Sequence, residues 1–149
     1  MSSNLIICNN LQSFADFVSV KIQQIEGKSV NILSNIDVIF YDTLDFKVAV
    51  MRDLISRLHN KPTDLANKYL IINNFNNFNV SAQNAFLKTL EEHTGVIFLH
   101  SINMQNILPT ILIRLLVLIN NLTDKSSWLE CKILKSLRGA IALYLKIYK

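Results

Sequence analysis

Residues 68–100 read KYLIINNFNNFNVSAQNAFLKTLEEHTGVIFLH. The opening run, Lys68–Ile72, is short, apolar and bounded by polar residues, which predicts a strand. Asn73–Asn79 follows as a polar turn with five Asn among its seven residues. A helix is predicted over Ser81–Glu92, where Ala82, Ala85, Phe86 and Leu90 recur at helical spacing and face inward. Val96–His100 is then a second apolar run of strand length. Strand, helix and strand in this order form a βαβ unit with parallel strands. Because the runs are apolar throughout and do not alternate, the sheet they belong to is expected to be covered on both faces.

The same alternation extends outward. Leu5–Cys8 (LIIC) is a buried-strand candidate, and Phe14–Ile25 places Phe14, Phe17, Val18, Ile22 and Ile25 on one helical stripe. Val30–Leu33 and Ile36–Tyr41 are strand candidates. Asp45 is read as the N-cap of a helix to His59, with Val48, Met51, Ile55 and Leu58 inward, and Lys61-Pro62 marks its end. Downstream, Pro109 suits the first turn of a short helix, and Leu115–Ile119 is a last strand. From Trp128 the pattern Ile133, Leu137, Ile141, Leu145 predicts an amphipathic helix. The expectation is a three-layer α/β domain over residues 1–122, with a mostly parallel five-stranded sheet and helices on both faces. A basic amphipathic helix is expected over 123–149.

Composition narrows the class. The chain has 149 residues, 50% hydrophobic and 17% charged, which suits one domain with its own core and excludes a disordered chain. Two cysteines, Cys8 and Cys131, make neither a disulfide framework nor a zinc set, and a reducing compartment is the simpler home. The longest nearly apolar stretch, Ile107–Ile119, is broken by Pro109, Thr110 and Arg114 and is shorter than the roughly 20 residues of a membrane span. The start, Met1-Ser-Ser-Asn, carries no cation, so a signal peptide is not expected. The reading is a soluble, cytoplasmic protein without a membrane partner. The formal net charge is +4, but it divides unevenly, with about +5 on residues 125–149 and −1 on the rest.

An α/β domain raises nucleotide binding first. Glu26-Gly27-Lys28-Ser29 resembles the end of a phosphate loop, but the required first glycine falls on Ile22. The context is also reversed, since GKS closes a helix and opens a strand. Gly27 is better explained as a helix C-cap. The correct place, after the first strand, reads Cys8-Asn-Asn-Leu-Gln-Ser-Phe14 and has neither glycine nor lysine. After Tyr69–Ile72, where a magnesium-binding and water-activating acidic pair belongs, Asn73-Asn74 stands. Neutral amides are poor magnesium ligands and cannot act as a general base. Intrinsic ATPase activity is therefore not expected. His59, His93 and His100 show no ligand spacing, so no metal and no cofactor are expected.

The run from Val48 to Arg114 resembles the clamp-loader subunits of bacterial DNA polymerase III, most closely the delta-prime type. The matching residues are Met51-Arg52-Asp53-Leu54-Ile55, Lys61-Pro62, Lys68–Ile72, then Ser81-Ala-Gln-Asn-Ala-Phe-Leu-Lys-Thr-Leu-Glu-Glu92, Val96–Leu99 and Leu108-Pro-Thr-Ile-Leu-Ile-Arg114. The resemblance implies an AAA+ domain without its own ATP turnover. It also implies partners of the gamma/tau and delta types and, through them, indirect contact with DNA and the sliding clamp. The family's Ser-Arg-Cys motif, whose arginine reaches a neighbour's ATP site, falls on Ile113-Arg114-Leu115. Arg114 is thus the candidate arginine finger, against the alternative that it packs locally or pairs with a carboxylate such as Glu91. The family's proline after the two glutamates is His93 here, and its zinc-binding cysteines, helical lid and collar are not matched. A second reading keeps the fold as a protein- or nucleic-acid-binding module, with Lys132, Lys135 and Arg138 of the basic tail as contacts.

Overall fold

The computed structural model describes residues 3–119 and 132–134. Five strands run parallel: β1 (Ser3–Ile7), β2 (Val38–Tyr41), β3 (Tyr69–Ile72), β4 (Val96–Ser101) and β5 (Leu116–Ile119). A sixth, β6 (Lys132–Leu134), pairs antiparallel with β5, and the sheet order is β2-β3-β4-β1-β5-β6. The helices are α1 (Leu11–Glu26), α2 (Val48–Leu58), α3 (Val80–Glu92) and the single turn α4 (Pro109–Leu112). Strand β1 lies in the middle, with Leu5 aligned to Leu99 on one side and to Val117 on the other. No helix among the described residues is long and apolar enough to cross a membrane.

Successive side chains of a strand point to opposite faces, so apolar strands build two cores at once. On one face Leu5, Ile39, Leu70 and Leu99 pack with Met51, Leu54, Phe86 and Ile111 of α2, α3 and α4. On the other, Ile6, Val38, Ile71 and Phe98 meet Phe14, Phe17, Val18 and Ile22 of α1. The three layers and five parallel strands match the expectation drawn from the apolar runs. Helix α1 starts at an Asn10 cap, whose side chain accepts from the Gln12 N–H, and ends at Gly27. Gly27 has φ 70° and gives its N–H to Gln23 O, so GKS is the helix stop that its context implied.

Four expectations are corrected. Val30–Leu33 forms no strand. Asn31 accepts from the Leu33 N–H and Asn35 from the Asp37 N–H, and these side-chain turns outcompete a ladder. Leu33 and Ile36 are accordingly exposed. Asp45 is not a helix cap; its carboxylate accepts from the Lys47 N–H, and α2 begins at Val48 without a side-chain cap. Ile25 lies off the buried stripe of α1 and is half exposed. Finally, Lys132–Leu134 stand in β6 where a tail helix was expected, because pairing with β5 covers an otherwise open sheet edge. The other residues of 123–149 lie outside the described residues.

The loop that replaces the absent strand ends on Asp37, which is fully buried. Its carboxylate accepts from the N–H groups of Thr63 at 2.9 Å, Asp64 at 2.5 Å and Leu65 at 2.8 Å, and from Lys68 Nζ at 3.0 Å. Lys68 also donates to Ile36 O at 3.2 Å. Burial alone would raise the Asp37 pKa. The three N–H donors and Lys68 outweigh it and hold the carboxyl well below the usual range.

Candidate functional site

Two regions bear on function, one at the C-terminal edge of the sheet and one at its N-terminal edge. The first is the place where an α/β domain of this kind would hold a phosphate, between the ends of β1, β3 and β4. Here it is closed by neutral side chains. Asn74 adopts a left-handed conformation (φ 53°) that turns its N–H onto His100 Nδ1 at 3.3 Å. A ring nitrogen that accepts is unprotonated, so His100 is the Nε2–H tautomer and donates to Cys8 O at 3.0 Å. The ring lies 5.1 Å from that of Phe14. One buried imidazole thereby ties the ends of three strands together.

Burial is the main cause holding the His100 pKa below its ordinary value, partly offset by the Cys8 carbonyl and the charge of Asp42. The folded chain therefore binds fewer protons than the unfolded one between the lowered pKa and about 6.5, the ordinary histidine value. Stability should fall as pH drops through that window. Urea midpoints at pH 7.5 and pH 5.5 test this, and His100→Gln should show a smaller decline than the unaltered chain.

Asn73, after β3, is buried, and its Oδ1 has no hydrogen-bond partner among the described residues. It borders an open cleft of about 440 Å³, which is also lined by Gln12, Asp16, Asn31 and Asp42. That lining carries two carboxylates and no cation. Two negative charges without a lysine or a run of glycine N–H groups repel a triphosphate and offer it no cradle.

The second region is the corner after α4. Pro109 occupies its first turn, Ile111 and Leu112 are buried, and Leu115 is buried at the entry to β5. The segment before it is fixed by Gln83 of α3, which is 1% exposed. Gln83 Oε1 accepts from the Leu108 N–H at 2.9 Å, and its Nε2 donates to Phe78 O at 2.9 Å and Asn106 O at 2.5 Å. Nothing in the helix pattern marks this residue, because a polar side chain on a buried face reads as a gap in the stripe. Its bonds lie with loops 5 and 23–25 residues away.

Arg114 projects from the turn between Leu112 and β5. Its Nε lies 2.6 Å and its Nη2 2.5 Å from Glu91 Oε1, and Nη1 donates to Thr110 O at 2.7 Å. The side chain is 34% exposed and that of Glu91 49%. The carboxylate pairing raised from the sequence as the alternative is thus present, and the guanidinium still reaches solvent. An exposed pair of this kind contributes about 0.2–1 kcal/mol. The residues that replace the family's Ser and Cys divide the work of the turn, with Leu115 buried and Ile113 46% exposed. His93 closes α3 and hydrogen-bonds through its ring to Ser3 Oγ at 2.6 Å and Gly95 O at 2.7 Å. Of the basic-tail candidates, Lys132 has its backbone in strand β6, while Lys135 and Arg138 lie outside the described residues.

A family model described as DNA polymerase III, delta subunit, matches residues 2–122. A solved structure, that of a DNA polymerase III gamma subunit-related protein from Thermotoga maritima, is similar with a TM-score of 0.70 at 23% sequence identity. The likeness covers 97% of this chain and 53% of that one, so the chain spans about half the length of this solved protein. At that identity the likeness speaks to the fold, which is the AAA+ α/β architecture anticipated above. No curated protein matches the chain.

Proposed function

The chain belongs to the DNA polymerase III delta-subunit family, and from that premise we propose that it is a delta-prime-like, non-hydrolysing subunit of a clamp loader. In this reading it assists loading of a sliding clamp beside gamma/tau- and delta-type subunits and offers Arg114 to a neighbour's ATP site. The observation that carries the reading is the position of Arg114. It sits at the sheet's N-terminal edge, two residues before β5 and opposite the edge formed by Asn73, Asn74 and His100, partly exposed, on a turn held by buried Leu112 and Leu115. A guanidinium supplied by a neighbour stabilises charge on the transferring phosphoryl, worth about 10³–10⁵ in rate in other NTPases.

The chemistry of the chain's own sheet edge supports the non-hydrolysing half of the reading. Asn73 and Asn74 supply neither a magnesium carboxylate nor a base, both ring nitrogens of His100 are engaged by the Asn74 N–H and Cys8 O, and the adjoining cleft lacks a cation. The test is to mix the chain with partner clamp-loader subunits and DNA. The chain should co-elute with them and raise their DNA-dependent ATPase, and Arg114→Ala should co-elute without the gain. Absence of co-elution and of stimulation overturns the reading. DNA binding by the chain alone that falls steeply with salt would point instead to a binding module.

A further inference from the structure

We infer that Glu91 is the positioning residue for Arg114, gripping one edge of the guanidinium so that its remaining N–H groups face a phosphate group presented by a neighbouring subunit. This rests on the reading of Arg114 as a residue supplied in trans. A guanidinium has five N–H donors in a planar fork. Glu91 Oε1 takes the Nε side, with Nη2 beside it, and Thr110 O takes Nη1. Each Nη keeps a second N–H, which is the pair of donors that matches two phosphate oxygens. The grip therefore orients the side chain without using it up.

The placement of Glu91 is not explained by its own helix. Glu91 and Glu92 end α3, which carries no basic residue in its last turn. Carboxylates at the negative end of a helix are disfavoured, and cations are preferred there. Lys88 of the same helix answers Glu92 at 3.7 Å. Among the described residues Glu91 is answered from outside its helix, by Arg114. A residue that breaks a local rule in this way marks a site where something other than helix stability is served. Helix α3 also carries Gln83, which fixes the backbone at Leu108 just ahead of α4. One rigid element thus sets both the start of the α4 segment and the direction of the arginine at its end, the arrangement a first contact needs if it is to be held within a fraction of an ångström.

The experiment uses the assembled complex of this chain with its partner subunits and, in parallel, the free chain. A misplacement of about 1 Å can cost ~10²-fold in rate. Glu91→Ala should lower the kcat of the DNA-dependent ATPase by about 10-fold or more, with the KM for ATP and co-elution unchanged. In the free chain the NMR signal of Arg114 Nε–H should exchange with solvent about 10-fold faster in Glu91→Ala, because a charge-assisted bond is lost. Glu91→Gln keeps an acceptor oxygen in place and should restore a substantial part of kcat. Wild-type kcat in Glu91→Ala, while Arg114→Ala loses the stimulation, overturns the inference and leaves the role of Arg114 standing. A change in KM or co-elution in place of kcat also overturns it, by making Glu91 a contact or a structural residue. Full stimulation by Arg114→Ala overturns the reading of Arg114 itself.

Discussion

Replacing Asp37 by alanine should lower the unfolding free energy by about 3–5 kcal/mol, the cost of removing one partner of a buried ion pair. The carboxylate is the common acceptor for three consecutive N–H groups and for Lys68, whose side chain is 10% exposed. Alanine leaves the three N–H groups without that acceptor and leaves Lys68 only Ile36 O. Asp37→Asn is close to isosteric but turns an amide NH₂ towards N–H groups and removes the charge that Lys68 meets, so it should be nearly as damaging. Urea titrations followed by circular dichroism measure both. The pH dependence follows from the same geometry. The folded pKa is depressed, so the stabilisation is complete above the unfolded value near 4 and is lost as pH falls through the folded one. The Asp37→Asn variant should therefore lose less stability on acidification than the unaltered chain.

Gln83→Leu should destabilise by about 2–4 kcal/mol although it fills nearly the same volume. It strips partners from the Leu108 N–H and from the carbonyls of Phe78 and Asn106. Each buried group left unpaired costs about 1–3 kcal/mol, and Asn106, which is exposed, regains water and contributes least. Gln83→Glu separates the terms: it keeps the acceptor for Leu108 and loses only the donor bonds, so its loss should be smaller near pH 5 than at pH 8. Thermal or urea unfolding of the two variants measures the difference.

The strands and long helices were legible because burial writes a pattern. The runs LIIC, YLII and VIFL are apolar throughout because helices cover both faces of the sheet, and Phe14, Phe17, Val18 and Ile22 repeat at the period of the helix they occupy. Val30–Leu33 carries the composition of a strand, but its fate was decided by Asn31 and Asn35, whose side chains bond to the backbone two residues on. The strand at Lys132–Leu134 was hidden for a different reason. Ile133 fits a four-residue repeat, and only the location of the β5 edge, a tertiary fact, assigns it to a sheet. At the candidate site, Arg114 stood out as the sole charge between His100 and Asp124. Glu91 was nameable only as one carboxylate among several, and the tie from His100 to Cys8 and Asn74 spans 92 and 26 residues, beyond any local pattern.

The central place of β1 has a consequence for how the chain comes into being. Ser3–Ile7 leaves the ribosome before the other strands, yet its neighbours are Val96–Ser101 and Leu116–Ile119. At about 5–20 residues per second, the first strand waits on the order of 5–20 s for β4 to be made. During that time Ile6 has α1 and Leu5 has α2 and α3 to shelter against, but β1 has neither of its neighbouring strands. The last parallel strand to emerge, β5, supplies the second neighbour of the central β1, so folding of the body is expected to be a late, concerted event. Nascent chains cut short of β5 should accordingly be caught by holding chaperones, and chains that extend past it should be released.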